Sequence, residues 1–524
     1  MTTSSLSRVA PIADDRRPRR VAIVDLGSNT FRLVVFRYVP NGPHAMADEI
    51  RETVRLSAGA VDGRITDAAI ARGVSAARMY ATYCARSGIE EIVVGATSAI
   101  RDATNQEEIL TAFAEAGLPA RVLSTSDEAY YGYLGVVNSM DFTDGFFLDV
   151  GGGSAQVGSV SRRILERSMS APLGAVRMTE AFYPGARTKK AEIKAQRKHV
   201  ADVLAEHPWI SDGGHEMAGT GGTLRTLAAM AQRASGYPLS IVHDFGLTRS
   251  ALEALIEQLA ELPVSSRERV PGLKRERADI ILGGAVTIAT VMDTLGADTV
   301  RVCGQGLREG LFHAHRLRPL DPPLVPDVRR STVMNLVDNY DLDRHHAEHV
   351  ARIATEIFDA TARSGLHAGD VTERGWLWAA TMLHDIGVIV NYHDHHKHGW
   401  YLVLNSGLPG FDQRELVIIA LLVRTHRKSI PNWDEYRPVL AEDDDARILR
   451  LAACLRIAEQ LERDRTQAVQ SVSVTIADGT ATLHLHGDTD HAVAMWSATP
   501  ETATFERAFG LPMALDTVST ASST

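Results

Sequence analysis

The chain has 524 residues, too many for one hydrophobic core, so three or four domains are expected. With 45% hydrophobic and 23% charged residues it has the make-up of a globular protein, which argues against a disordered or fibrous class. A net charge of −10 argues against indiscriminate nucleic-acid binding, although a cleft can be locally positive on an acidic protein. Residues 1–20 are Ser/Thr-rich, carry Arg16, Arg17, Arg19 and Arg20, and lack an apolar h-region or cleavage site; they read as a disordered tail, not a signal peptide. The longest apolar run, Ile280 to Met292, is bracketed by Asp279 and Asp293 and is too short for a membrane span, so a buried element is expected there and no membrane insertion. Cys84, Cys303 and Cys454 are scattered, with neither a disulfide framework nor metal-ligand spacing, which points to a reducing, cytoplasmic location.

In chain order, Val21–Phe36 comes first: two β-rich runs flank Gly27-Ser28-Asn29-Thr30, a β-hairpin pattern. A strand at Glu91–Val94 and a loop at Thr97–Arg101 follow. The Ser/Thr run at Ser124–Ser126 is an N-cap signal that places Asp127 and Glu128 in the first turn of a helix, where acids complement the helix dipole. The stretch Phe147–Val157 then repeats the opening one. Asp25 matches Asp149, Gly27 matches Gly151 and Thr30 matches Ser154, so the pattern Asp-[Leu/Val]-Gly-x-x-[Ser/Thr] occurs twice. Such a repeat predicts two lobes of one design facing a shared cleft. Gly219-Thr-Gly-Gly-Thr223 precedes an apolar helix at Leu224–Met230, and Gly304–Gly310 is a further glycine-rich turn. Pro319, Pro322, Pro323 and Pro326 cannot continue a helix. Beyond them, residues 331–465 read as helical and histidine-rich. Val472, Val474 and Ile476, the turn Asp478-Gly479, and Ala481, Leu483 and Leu485 form a second hairpin pattern.

A glycine turn lets backbone N–H groups converge on a phosphate. The hydroxyls of Thr30 and Ser154 add donors, and a carboxylate at the strand end, Asp25 or Asp149, can hold Mg²⁺ through its oxygens. Two copies of the motif in register favour phosphate binding over a plain hairpin. Gly221 and Gly222 at a helix N-terminus make another anion site, with a tight strand–helix turn as the plainer alternative. Arg101 could clamp a phosphate bidentately. Three basic clusters occur, Arg187–Lys198, Lys274–Arg277 and Arg424–Lys428; solvated helix faces fit the first well, and charge alone decides nothing.

Taken as an ordered set, Val21–Arg32, Thr97–Asn105, the Glu128 segment, Asp149–Ser154, Gly219–Thr223 and Gly304–Gly310 resemble the exopolyphosphatase/guanosine pentaphosphate phosphohydrolase (Ppx/GppA) family. The resemblance spans roughly residues 20 to 510 and is to the family's long form. It implies an α/β fold of two ribonuclease-H-like lobes of the actin-like ATPase superfamily, followed by an all-α HD-like domain and a small C-terminal α/β unit. The expected boundaries are a tail at 1–20, lobe I at 21–136, lobe II at 137–318, a linker at 319–330, the HD-like domain at 331–465, the small unit at 466–516 and a frayed tail at 517–524. It implies Mg²⁺ as cofactor, Glu128 as catalytic residue, Asp149 (with Asp25) as metal-linked, and Gly27, Ser28, Asn29, Thr30, Gly151, Gly152, Gly153, Ser154, Gly221, Gly222, Arg101 and Arg277 as phosphate contacts. A homodimer is implied as well. Tyr130-Tyr131 stands where many relatives carry Arg-Leu.

His346, His384-Asp385 and Glu459 resemble the metal-gathering positions of HD phosphohydrolases, although active enzymes of that group usually carry Asp at the last position. The alternatives are a degenerate HD site, with His384-Asp385 as a buried hydrogen-bonded pair, and a polyanion path lined by His395, His396, Arg424, Arg427 and Lys428. The expected function is hydrolysis of the terminal phosphate of inorganic polyphosphate. Hydrolysis of guanosine pentaphosphate is the nearest alternative; an actin-like ATP-binding regulator and an HD-domain nucleotide phosphohydrolase are the others.

Overall fold

The computed structural model describes residues 17–40, 42–211, 216–428 and 431–519. Most of the expected N-terminal tail lies outside these residues. Arg19 and Arg20, placed in the tail by composition, already belong to the first strand.

The first sheet is built from β1 (Arg19–Leu26), β2 (Phe31–Tyr38), β3 (His44–Glu52), β4 (Glu91–Ala96) and β5 (Arg121–Val122), in the order β3-β2-β1-β4-β5. β1 and β2 pair antiparallel across the Gly27–Thr30 turn, and β4 lies parallel to β1. The second sheet contains β6 (Gly145–Val150), β7 (Ala155–Ser161), β8 (Ile164–Ala171), β9 (Met217–Thr220), β10 (Phe245–Thr248) and β11 (Thr299–Val302), in the order β10-β11-β9-β6-β7-β8. β6 and β7 pair antiparallel and β9 lies parallel to β6. Each sheet is therefore an antiparallel three-stranded meander extended on its first strand by two parallel strands, to which the second sheet adds β10, antiparallel to β11, at its edge. The duplicated sequence motif is a duplicated topology.

The run at Val21–Val24 is apolar without interruption because both faces of β1 are covered. Ala22, Val24 and Leu26 pack with the helices Asp67–Arg86 and Gln106–Glu115, while Val21 and Ile23 pack against Leu311 and Phe312. The latter two lie on the helix Leu307–Arg316, which the sequence reading assigned to lobe II. Conversely the helix Thr125–Val137, assigned to lobe I, packs Ala129, Tyr133 and Leu134 against Phe147 of β6. The boundary at 136/137 thus cuts through an exchange in which each sheet is covered by a helix from beyond its own segment. The two helices cross in direct contact: a Cβ on Gly310 would lie 1.7 Å from the Tyr131 carbonyl oxygen. Ile281–Met292 is buried on every side within the helix Ile281–Leu295, as its unbroken apolar run requires.

Ser98–Arg101 is a single helical turn, not the loop read from its sequence. The first helix of the C-terminal region begins at Val328, inside the stretch expected as linker. It is followed by Arg344–Arg363, Val371–Leu383, His395–Ser406, Gln413–Thr425 and Asp444–Leu461. A last sheet of β12 (Ser471–Ala477), β13 (Thr480–Gly487) and β14 (Met513–Ser519) has the order β12-β13-β14. Asp478 and Gly479, with φ of 50° and 72°, turn the hairpin as expected. β14 runs to Ser519, so the tail expected from 517 begins in a strand. Nor does this sheet stand apart, because Ala481, Leu483, Leu485 and Phe505 share one continuous core with Val350, Leu383 and Leu455 of the helices.

The exchange yields a stability prediction. Gly310→Ala forces a methyl into a backbone carbonyl and should cost about 1–3 kcal/mol. Gly375→Ala, at a half-buried position of the helix Val371–Leu383 where a Cβ would meet nothing within 4 Å, should gain about 0.5–1 kcal/mol. Thermal or urea unfolding of the two variants checks the contrast.

Candidate active site

The duplicated motifs meet. Asp25 pairs with Arg32 across the β1–β2 hairpin, and Asp149 occupies the same register position opposite Gln156 in the β6–β7 hairpin. A Cβ on Gly152 would lie 3.4 Å from the Cβ of Ser28, so the two turns are in van der Waals contact. Ser28 Oγ is 3.2 Å from Ser98 Oγ, which ties the first turn to the helical turn after β4. Between the turns is a cleft of about 150 Å³, several times the ~30 Å³ share of a water molecule. Asp25, Gly27, Ser28, Asn29, Thr30, Asp149, Gly151, Gly152, Ser154, Gly221, Gly222, Arg277 and Glu128 line it. Gly153 does not; it sits behind the turn, against Ser98 and Ser28.

Glu128 reaches the cleft because its neighbour is used elsewhere. Ser124 Oγ accepts from the Asp127 N–H at 3.0 Å and Asp127 Oδ2 accepts from the Ser124 N–H at 3.1 Å, a complete capping box. Asp127 also takes Arg121 at 2.9 Å. Glu128, the next residue, is only 7% exposed and caps nothing. One helical turn on, Gly132 faces Asp149 Oδ2, so this side of the helix overhangs the end of β6. Arg101 donates to Glu128 Oε2 at 2.5 Å and to the Leu123 carbonyl at 3.0 Å. It does not line the cleft, contrary to the expectation that it contacts phosphate directly; the guanidinium is engaged in holding the glutamate.

Four arginines supply positive charge to the cleft: Arg32, Arg225, Arg277 and Arg308. Arg277 lies against the start of the helix Gly222–Ser235, where a Cβ on Gly222 would be 2.0 Å from its Nη2; only glycine admits it. Arg225 Nη1 donates to the Gly304 carbonyl at 3.2 Å and to Thr220 Oγ1 at 3.3 Å, joining two of the glycine turns. Arg308 stands 3.9 Å from Asp25. Thr30 Oγ1 and Arg308 Nε are buried without a hydrogen-bond partner, an arrangement that an oxyanion in the cleft would satisfy.

Burial and mutual repulsion shift the carboxylates together. Desolvation raises Glu128 to about 7 against the pull of Arg101, with Asp149 and Asp25 adding to the rise. Desolvation raises Asp149 to about 6, with Arg225 opposing and Asp25 reinforcing. Asp25 is likewise raised by burial, against Arg308 and Arg32. A set of oxygen donors held close against its own repulsion fits a hard divalent cation such as Mg²⁺, with Asp25 and Asp149 as the holding groups.

Of the other expected residues, His346, His384, Asp385 and Glu459 lie together in the helical region, with His395 and His426 beside Asp385. The reading of His384-Asp385 as a hydrogen-bonded pair does not hold: His384 Nδ1 faces the Thr381 carbonyl at 2.6 Å, and its Nε2 is 3.7 Å from Asp385. Nor do the histidines line an open path, since His395 and His396 are each 2% exposed. Arg427 lies over the Tyr392 ring, Lys428 pairs with Asp394, and Arg424 is partly buried; none of these lines the cleft. Arg32 and Arg225 join the cleft although neither was among the residues expected there. The usable signal for Arg225 is a cation three residues after Gly222, in the first turn of the helix that the glycine turn opens.

These shifts carry a stability signature. A carboxylate whose folded pKa is raised contributes stability that is lost as pH rises from its unfolded value, about 4, through 6 to 7. Metal-free protein should therefore melt lower at pH 7.5 than at pH 5, and Mg²⁺ should restore more of the melting temperature at pH 7.5. Asp149→Asn should diminish both effects, which differential scanning fluorimetry would show.

Comparison with known proteins agrees with this geometry. Residues 34–318 match the Ppx/GppA phosphatase family, and residues 328–495 match domain III of Ppx/GppA phosphatases. The crystal structure of an Aquifex aeolicus Ppx/GppA family member is 26% identical, covers 58% of this chain and 99% of its own, and superimposes with a TM-score of 0.51. An exopolyphosphatase from Cytophaga hutchinsonii, 20% identical, shares the fold over 57% of this chain and 98% of its own with a TM-score of 0.53. Two mixed sheets, a cleft between duplicated glycine turns and these matches lead to one conclusion: the chain belongs to the Ppx/GppA phosphatase family.

Proposed function

We propose that the protein is an exopolyphosphatase, removing the terminal phosphate of inorganic polyphosphate by in-line attack of water. The observation that carries this reading is the convergence of Glu128, both duplicated turns and four arginines on one cleft. The turn amides, Thr30 Oγ1 and the arginines bind and orient the terminal phosphoryl group. Arg101 holds Glu128 over the cleft, where its carboxylate orients a water and accepts its proton as the water oxygen bonds to phosphorus. The bond to the bridging oxygen breaks and the chain leaves one phosphate shorter. With its pKa near 7, Glu128 can both take and release that proton near neutral pH. Mg²⁺ held by Asp25 and Asp149 would supply positive charge against the phosphate oxygens. Positioning and electrostatics account for the catalysis, because a loose phosphoryl-transfer transition state needs little covalent help.

We favour polyphosphate over guanosine pentaphosphate because, among the described residues, no aromatic side chain lines the cleft to stack on a base; its apolar lining is Val150, Ile280 and Leu307. Pure protein should therefore release phosphate faster from long polyphosphate than from guanosine pentaphosphate, assayed side by side. A reversed ratio would move the assignment to the nucleotide. Tight ATP binding without phosphate release from either substrate would point to a regulator instead.

Glu128→Gln should lower kcat about 10²–10⁴-fold with little change in KM. The acid limb of kcat/KM should report a group near neutrality. Because Arg101 lowers that pKa, Arg101→Gln should move the limb to higher pH, whereas an arginine acting only on substrate would raise KM and leave the limb in place.

A further inference from the structure

We propose that the helical region holds a second metal centre, independent of the phosphatase cleft: two divalent transition-metal ions bridged by Asp385. Five helices bring the groups together. His346 comes from Arg344–Arg363, His384 and Asp385 from the end of Val371–Leu383, His395 from the start of His395–Ser406, His426 from the end of Gln413–Thr425, and Glu459 from Asp444–Leu461. Two triads of ligand atoms each close to within 4.8 Å: His346, His384 and Asp385, and Asp385, His395 and His426. Asp385 belongs to both. Glu459 Oε2 lies 3.3 Å from His346 Nε2 and 3.0 Å from His384 Nε2, which adds a fourth donor to the first triad.

The hydrogen bonds indicate what the cluster lacks. His384, His395 and His426 each direct Nδ1 at a backbone carbonyl, of Thr381 at 2.6 Å, Tyr392 at 2.9 Å and Val423 at 2.7 Å. A carbonyl only accepts, so each Nδ1 carries the proton, and in a neutral ring each Nε2 is then an unprotonated lone pair aimed at the cluster. The Nε2 atoms of His395 and His426 face one another at 3.0 Å, which two lone pairs tolerate only with a cation or an added proton between them. His384 Nε2 and Glu459 Oε2 are buried without hydrogen-bond geometry despite their proximity, and neither buried ring nitrogen of His346 makes a hydrogen bond, although its Nε2 lies near Glu459. Backbone-oriented imidazoles with free Nε2 atoms are the usual support of a metal site.

The donor set, four imidazoles and two carboxylates, suits Mn²⁺, Fe²⁺, Co²⁺ or Zn²⁺ better than Mg²⁺. The centre has an outlet at Asp385, which is 21% exposed. There Arg465 pairs with Asp385 Oδ2 at 2.9 Å and with Asp343 at 2.8 Å. None of these residues lines the phosphatase cleft.

The test is Co²⁺ titration of the full chain, followed by visible absorption and by metal analysis after desalting. Two equivalents per chain should register imidazole ligation. His426→Gln and His346→Gln should each retain one, with the other weakened by more than about 100-fold. Asp385→Ala should lose both, and Asp149→Asn should leave the visible bands unchanged. Circular dichroism of each variant establishes that it is folded; should Asp385→Ala fail to fold, the two histidine variants decide. Absence of saturable binding, or retention of both equivalents at unchanged affinity in the two histidine variants, would overturn the proposal in favour of a buried cluster of protonated imidazole and carboxylate.

Discussion

Two antiparallel hairpins, each with an aspartate one residue before the end of its first strand and a turn through glycine, face one another across a small cleft. The repulsion this creates is the constraint on the rest of the structure. Asp25, Asp149 and Glu128 are crowded into a partly desolvated space that raises all three pKa values. Left alone, such a cluster would be costly to bury. Arg32, Arg225, Arg277 and Arg308 offset part of that cost, and an entering cation and anion can offset more. A protein of net charge −10 thereby keeps a cleft in which positive charge is concentrated.

The exchange of helices gives the cleft its precision. Glu128 sits on a helix that rests on the second sheet, while the helix after the Gly304–Gly310 turn returns to cover the first. Their crossing, tight enough at Gly310 to exclude a methyl group, couples the position of the glutamate to both sheets. A change of angle between the lobes would move Glu128 relative to Asp25 more than relative to Asp149. The capping box at Ser124 adds local rigidity and leaves the carboxylate next to it free for other work.

The repeated motif was legible because its chemistry is local: a strand, a carboxylate and a glycine turn occupy about ten consecutive residues. The hairpin register, the apolar helix Ile281–Leu295 and the Asp478-Gly479 turn were legible for the same reason. What escaped depends on long-range packing. Arg101 carries the same charge whether it clamps a phosphate or a glutamate 27 positions away, and only the fold decides. Arg225 was hidden in an apolar pattern. The lobe boundary was misplaced because a helix covering a neighbouring sheet has the same periodicity as one covering its own. The histidines were recognisable as a group, but the pairing of triads through Asp385 and the inward aim of three Nε2 atoms arise from five separate helices.

The most direct measurement of the central claim is a crystal structure of Glu128→Gln grown with Mg²⁺ and a short linear polyphosphate. The account predicts the terminal phosphoryl group seated between Gly27–Thr30 and Gly151–Ser154, with the cation on Asp25 or Asp149 and residue 128 facing the phosphorus from the side opposite the bridging oxygen. A terminal phosphate bound elsewhere, or engaged by only one of the two turns, would contradict it.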